Sequence, residues 1–195
     1  SVVLTAQPAT GVTYSWSGGG TNQTKTVTNP GTYTVTVTKV STGCSETATT
    51  TVTQDISVPT ASANNDGPLT CTKTNVILTA TGGGTYVWSG GGTSSTKTVT
   101  SPGTYTVTVT ASNGCTASSS TVVTQDITPP AVTTNNDGPL TCVKTSVILT
   151  ATGGGTYVWS GGGTSSTKTV TSSGTYTVTV TASNGCTASS STVVT

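Results

Sequence analysis

The sequence predicts an all-β chain built of tandem two-sheet sandwiches strung one after another as a rod. Three observations carry this reading. The chain repeats itself: Asn64 realigns on Asn135, a shift of 71 residues, and the register holds as far as Thr124 on Thr195. Within a copy, short runs of alternating Thr and Val are broken by turn residues, and no helical period appears. The β-branched and aromatic residues Thr, Val, Tyr and Trp dominate while charged residues make up only 6% of the chain, which separates it from charge-rich disordered segments.

Between the two close copies only three pairs differ: Thr72 and Val143, Asn75 and Ser146, Pro102 and Ser173. A more divergent copy precedes them. Its Val2-Val3-Leu4-Thr5-Ala6 matches Val76-Ile77-Leu78-Thr79-Ala80, and Thr13-Tyr14-Ser15-Trp16-Ser17 matches Thr85-Tyr86-Val87-Trp88-Ser89. The expected domains are therefore residues 1–55, 56–126 and 127–195. The first copy enters at its second strand, and the pattern is expected to belong to a longer array.

Taken in order within the second copy, strands are expected at 69–72, 75–80, 85–89, 97–100, 104–111 and 116–124, with 58–63 leading in. Gly, Asn, Pro and Ser fill the turns at 82–84, 90–92, 101–103 and 112–114, where a positive or fixed φ is needed. About seven short strands with regular turns specify a sandwich. Strand alternation puts Tyr105, Val107 and Val109 on one face and the intervening Thr residues on the other. By the same rule Tyr86 and Trp88 share a face, and Val87, which is Ser15 in the first copy, faces water. The core aromatics are thus Trp16, Trp88 and Trp159 together with Tyr33, Tyr105 and Tyr176.

A core this thin is marginal for so small a domain. The five cysteines offer reinforcement: Cys71 and Cys115 stand 44 residues apart, as do Cys142 and Cys186. The expectation is an intra-repeat disulfide in each close copy, worth roughly 4 kcal/mol on the chain-entropy model. The partner of Cys44 would fall before Ser1. Disulfides imply an oxidising compartment outside the cell. A zinc site is disfavoured, since there is no CxxC and no His.

The segment Thr85-Tyr86-Val87-Trp88-Ser89-Gly90-Gly91-Gly92, followed by Gly103-Thr104-Tyr105-Thr106-Val107-Thr108-Val109-Thr110 and Asn113-Gly114, resembles the PKD and bacterial immunoglobulin-like families, whose pattern is YxW, a glycine turn, then GxYxVxVxVxxxxG. With the LTC and NGC cysteines, it is similar to the repeats of giant Bacteroidota surface adhesins, including those of gliding motility. The resemblance implies an immunoglobulin-like fold, a surface-exposed adhesive or spacer role, and export by type IX secretion. One departure stands out: the acidic turn common in PKD domains is Ser-Gly-Gly-Gly here, so no role of those carboxylates carries over.

Little in the chain suggests chemistry. With no His, the common nucleophile–base triads have no base. Asp55, Asp66, Asp126 and Asp137 all lie at junctions between copies, and an active site repeated almost verbatim in neighbouring copies would be unusual. No enzyme is expected. The net charge of +1 supplies no nucleic-acid footprint, and no apolar run reaches membrane-spanning length. The glycine runs 18–20, 90–92 and 161–163 lack the Lys-Ser/Thr of a phosphate loop and read as turns.

The junction acids carry a sharper hypothesis. Asp126 with Gln125 on one side of a joint, and Asp137 with Asn135 and Asn136 on the other, could hold Ca²⁺. Asp55, Asp66, Gln54, Asn64 and Asn65 form the equivalent set. The alternative is Asx turns without an ion, and no other cofactor is implied. Lys25, Lys97 and Lys168 share one strand position and read as snorkelling edge lysines rather than isopeptide donors. Asn22-Gln23-Thr24 is a glycosylation sequon of weak meaning.

The leading function is a structural stalk in a long secreted adhesin or extracellular filament, with weak multivalent contacts along its length. Its partners would be neighbouring repeats, identical chains in a filament, and surface glycans or a substratum. A glycan-binding module and an accessory stalk of a secreted enzyme are the alternatives.

Overall fold

The computed structural model describes residues 1–195, as strands joined by turns and irregular linkers with no helix. Two compact units result, Ser1–Ser57 and Val58–Thr195. The first holds one repeat and the second holds two.

Repeat 2 shows the full pattern. Its strands are β6 (Ser62–Asn65), β7 (Leu69–Thr70), β8 (Val76–Thr81), β9 (Thr85–Trp88), β10 (Thr96–Val99), β11 (Gly103–Thr110) and β12 (Thr116–Val123), with β13 (Gln125–Asp126) continuing beyond β12. One sheet has the order β10-β8-β6 and the other β12-β11-β9. All pairs are antiparallel except β13 with β7, which run parallel. Repeat 3 follows suit, with β14 (Thr133–Asn136), β15 (Val147–Thr152), β16 (Thr156–Trp159), β17 (Thr167–Val170), β18 (Gly174–Thr181) and β19 (Thr187–Val194) in the orders β14-β15-β17 and β16-β18-β19. Repeat 1 has β1 (Val2–Thr5), β2 (Val12–Trp16), β3 (Thr24–Val27), β4 (Gly31–Lys39) and β5 (Ser45–Val52), paired as β1-β3 and β2-β4-β5.

This is an immunoglobulin-like sandwich, and two local features bear that out. A Trp on the third long strand fills the core: Trp88 and Trp159 are each 2% exposed and Trp16 is 5% exposed. The indole N–H of each still finds a partner, donating to the carbonyl of Ser94, Ser165 or Asn22. The second feature is a tyrosine corner at the start of the sixth strand. Tyr105, Tyr176 and Tyr33 turn their hydroxyls back to the carbonyls of Ser101, Ser172 and Asn29, four residues upstream, at 2.8–2.9 Å.

Alternation explains which residues go inside. In β8 the positions Val76, Leu78 and Ala80 are buried and Ile77 is not, and in β11 Val107 and Val109 are fully buried. Val87 lies outside at 54% exposure. On the outer face of β11 and β12 hydroxyls pair across strands, Thr106 with Ser120 and Thr108 with Ser118, so the sheet surface is polar without charge.

Glycine is required where backbones touch. A Cβ on Gly84 would lie 2.1 Å from the carbonyl oxygen of Thr110, and one on Gly155 equally close to that of Thr181.

The leading strand begins at Ser62, not at residue 58, and it pairs with β8 only from Ser62 opposite Thr81 onward. Pro59 has no N–H to offer a ladder, and β8 ends at Thr81, so residues 58–61 have no strand to join. Strand β7 stops at Thr70 because Thr70 turns the chain at once, its N–H donating to the carbonyl of Lys73.

Repeat 1 differs at the place where β6 and β14 sit in the others. There β1 pairs on one side only, and β5 is exposed almost throughout. Clefts of about 360 and 460 Å³ open beside β5, the larger lined by Leu4, Trp16, Tyr33, Val35, Val37 and Ala48.

Candidate functional site: a cross-linked joint between repeats

The cysteines do not pair as their spacing suggests. Cys71 is bonded to Cys186, while Cys44, Cys115 and Cys142 are free thiols. The expected bonds Cys71–Cys115 and Cys142–Cys186 are therefore corrected: the bridge runs from repeat 2 to repeat 3.

Strand register gives the reason. Strand β7 enters beside the end of β12, with the N–H of Leu69 donating to the carbonyl of Thr124, and Cys71 follows directly. Cys115 sits in the β11–β12 hairpin, at the other end of the same strands, where Thr110 pairs with Thr116. The eight residues of β12 between those ends span roughly 26 Å at about 3.3 Å per residue. A disulfide needs Cα atoms within about 7 Å. The two cysteines of one repeat thus mark opposite ends of it, and only the next repeat can bring a hairpin cysteine to Cys71. There the Cα atoms of Cys71 and Cys186 are 5.0 Å apart.

Both cysteines sit in preformed turns. On the repeat 2 side, Thr70 Oγ1 accepts from the N–H of Thr72 and of Lys73. On the repeat 3 side, the hairpin closes with the N–H of Ala182 donating to the carbonyl of Cys186, and Asn184 Oδ1 accepts from the N–H of Cys186. The amide of the same Asn184 reaches across the joint, donating to Asp126 Oδ1 at 2.9 Å and to the Thr128 carbonyl at 3.0 Å. Gly185 has φ +77°, and a Cβ there would stand 2.4 Å from the Thr72 methyl. Glycine is needed because the repeat 2 turn lies directly against it. Cys186 is buried and Cys71 is exposed at the rim.

The junction acids are placed separately. Asp66 and Asp137 serve their own repeats: Asp66 accepts from the N–H of Ile77 and pairs with Lys73 at 3.1 Å, and Asp137 does the same with Ile148 and Lys144. Those backbone donors first, and the lysines second, hold both carboxyls below the usual aspartate range. Asp126 accepts from the N–H of Thr128 and from Asn184, and Asp55 accepts from the N–H of Ser57. No three acid, His or Cys groups converge to hold a metal ion.

Two contributions of junction and strand residues had no clear signal in the sequence. Asn65 does form an Asx turn, its Oδ1 accepting from the N–H of Gly67, but its amide also donates to Thr121 Oγ1 and the Val122 carbonyl, tying one sheet to the other. Asn136 repeats this with Thr192 and Val193. Lys97 donates to the carbonyls of Ser89 and Gly91, so its ammonium lies inside the glycine turn, 5.8 Å from the centre of the Tyr105 ring. Lys25 and Lys168 do likewise. An oppositely charged neighbour would have flagged such a position; two carbonyls and an aromatic ring leave no trace of that kind.

No family model matches the chain, and no curated protein does. Among solved structures it is similar to the N-terminal eight Ig domains of Down Syndrome Cell Adhesion Molecule (DSCAM) isoform 1.30.30, with 17% identity, 89% of this chain and 32% of that one covered, and a TM-score of 0.26. It is also similar to a tetra-tandem repeat in the extending region of a large adhesion protein, with 16% identity, 94% of this chain and 66% of that one covered, and a TM-score of 0.24. The chain spans about a third of the first and just under two thirds of the second. The fold assignment rests on the strand order, the core Trp and the tyrosine corner described above.

Proposed function

We propose that this chain is a stalk segment of a secreted, cell-surface adhesin or extracellular filament, in which repeats act as spacers and neighbouring repeats are locked to each other. The observation that carries the reading is the Cys71–Cys186 bridge. A disulfide within a domain serves that domain's stability, whereas one that crosses a joint restricts the angle between two domains. That restriction is useful to a structure that must project, and of little use to independent binding modules. Linker residues Pro129 and Pro130 and the clamp of Asn184 on Asp126 and Thr128 work in the same direction.

The bridge also favours an oxidising location outside the cell. The polar, nearly uncharged Thr and Ser faces suit prolonged exposure of sheet surface without bulk electrostatic attraction. The motif resemblance to Bacteroidota surface adhesins agrees with this role and adds type IX export and motility-associated adhesion as the finer reading.

Small-angle scattering of the oxidised and reduced chain tests it. Each repeat is expected to add about 35–40 Å to an elongated particle. Reduction should broaden the distance distribution without unfolding the repeats. A compact oxidised particle, or an identical profile in both states, overturns the proposal.

A further inference from the structure

The two cysteines of the bridge are unequal. Cys186, in the β18–β19 hairpin, is 2% exposed, whereas Cys71 is exposed at the rim of its turn. A thiolate breaks a disulfide by attacking one sulfur while the other leaves, so access decides which sulfur is taken. From solvent the approach to Cys71 is open, and the approach to Cys186 runs through the packed hairpin.

The joint is also held by contacts that do not use the bond. Asn184 Oδ1 accepts from the N–H of Cys186 at 3.0 Å, and the amide of the same side chain donates to Asp126 Oδ1 and to the Thr128 carbonyl. Asp126 lies in β13 directly beside Thr70 of β7, the residue before Cys71. One carboxamide therefore ties the buried cysteine to the strand that flanks the exposed one. The turn of Cys71 is closed on its own side by Thr70, whose N–H donates to the Lys73 carbonyl and whose Oγ1 accepts from Thr72 and Lys73. If the sulfur bond opens, Cys186 stays beside Cys71, and reclosure is an intramolecular step.

We propose that Cys71 is a thiol-exchange site: a small thiol such as glutathione or cysteine adds there, and Cys186, kept in place by Asn184, expels it again. This rests on reading the Cys71–Cys186 bridge as a joint. In the first step the small thiolate bonds to Cys71 Sγ, the Cys71–Cys186 bond breaks, and Cys186 leaves with the electron pair and takes a proton. In the second, Cys186 gives up that proton and attacks Cys71 Sγ, which restores the bridge and releases the small thiolate. Electrons balance over the cycle with no oxidant consumed. The bridge is thus a latch that opens at one sulfur and closes from the other.

The test uses the full chain with Cys44, Cys115 and Cys142 replaced by Ser, so that Cys71 and Cys186 are the cysteines left. It is exposed to reduced glutathione under native conditions and quenched with acid at successive times; free thiols are blocked, and the adducts are mapped by mass spectrometry. Glutathione is expected on Cys71 about tenfold more often than on Cys186, in line with their difference in exposure. In concentrated urea, where both sulfurs are open, the two should be modified about equally. Asn184→Asp keeps the acceptor for the Cys186 N–H but sets a carboxylate against Asp126, and should raise the steady adduct on Cys71 about tenfold, the worth of one hydrogen bond to a charged group. Equal adducts on the two cysteines in the native chain, a bias that persists in urea, or an Asn184→Asp chain with the parent's adduct level overturns the proposal. A parent digest that lacks the Cys71–Cys186 peptide before glutathione is added overturns the joint itself.

Discussion

Removing either end of the Cys71–Cys186 bridge gives a quantitative check on the joint. The bond closes a loop of sequence separation 115. On the chain-entropy model, a closure of that length destabilises the unfolded chain by about 5 kcal/mol, against about 4 kcal/mol for each of two intra-repeat loops. Near the melting point, a unit the size of repeats 2 and 3 shifts by about 3–4 °C per kcal/mol, so the upper bound is a fall of about 20 °C. Native strain at the joint would lower the figure. The clean comparison starts from a chain with Cys44, Cys115 and Cys142 replaced by Ser and adds Cys71→Ser or Cys186→Ser, with melting followed by calorimetry without reductant. Both additions should lower the second unit's transition by the same amount, and combining them should lower it no further. The starting chain itself should melt as the wild type does. If Cys115→Ser alone lowered the transition as far as Cys71→Ser, the bond would lie within repeat 2 and the account of opposite ends would be wrong.

Other outcomes follow from the packing. Trp88→Ala should destabilise its repeat by about 3–5 kcal/mol in urea titrations, whereas Val87→Ser, at the exposed neighbouring position, should change stability by under about 0.5 kcal/mol. Gly185→Ala should reduce the yield of the Cys71–Cys186 bond on oxidative refolding, since its Cβ meets Thr72; Gly114→Ala, with φ +82° but nothing within 4 Å, should leave the yield unchanged. Asp66 and Asp137 have folded pKa values below their unfolded value of about 3.9, so their contribution is complete above that pH and is lost as pH falls through the lower folded value. The melting temperature should therefore drop as pH falls below about 4, and D66N/D137N should flatten that dependence; an equally steep double variant would show that other groups are responsible.

Much of each sandwich was legible because it follows from period-two alternation. Tyr105, Val107 and Val109 had to share a face once they lay in a strand, and substitution of Val87 by Ser15 in the first copy marked the outer side. The cysteine pairing was not legible from spacing. Equal spacing in two copies shows only that Cys115 and Cys186 are equivalent positions, and equivalence is satisfied as well by a bond to the neighbouring repeat as by one within the repeat. What distinguishes them is the length of β12, which separates Cys71 from Cys115, combined with the parallel pairing of β7 and β13, which fixes the end at which Cys71 lies. That short parallel pair has no periodic signature. Asn65 and Asn136 were readable as turn residues, but their link to the opposite sheet depends on a contact 56 residues away. Lys97 reads from sequence as a snorkelling edge lysine, and the turn that receives its ammonium becomes visible only when the glycine hairpin folds over it.

The path of the sulfur bridge also decides how tension would travel. A pull entering through β6 reaches Cys71, crosses to Cys186 and leaves along β19, so β8 through β18 hang as slack outside the loaded line. That slack amounts to about 380 Å of contour at about 3.3 Å per residue. Stretching alone cannot release it; a reducing thiol can, and the extensibility of such a cable would then be set by redox chemistry rather than by the strength of its sheets.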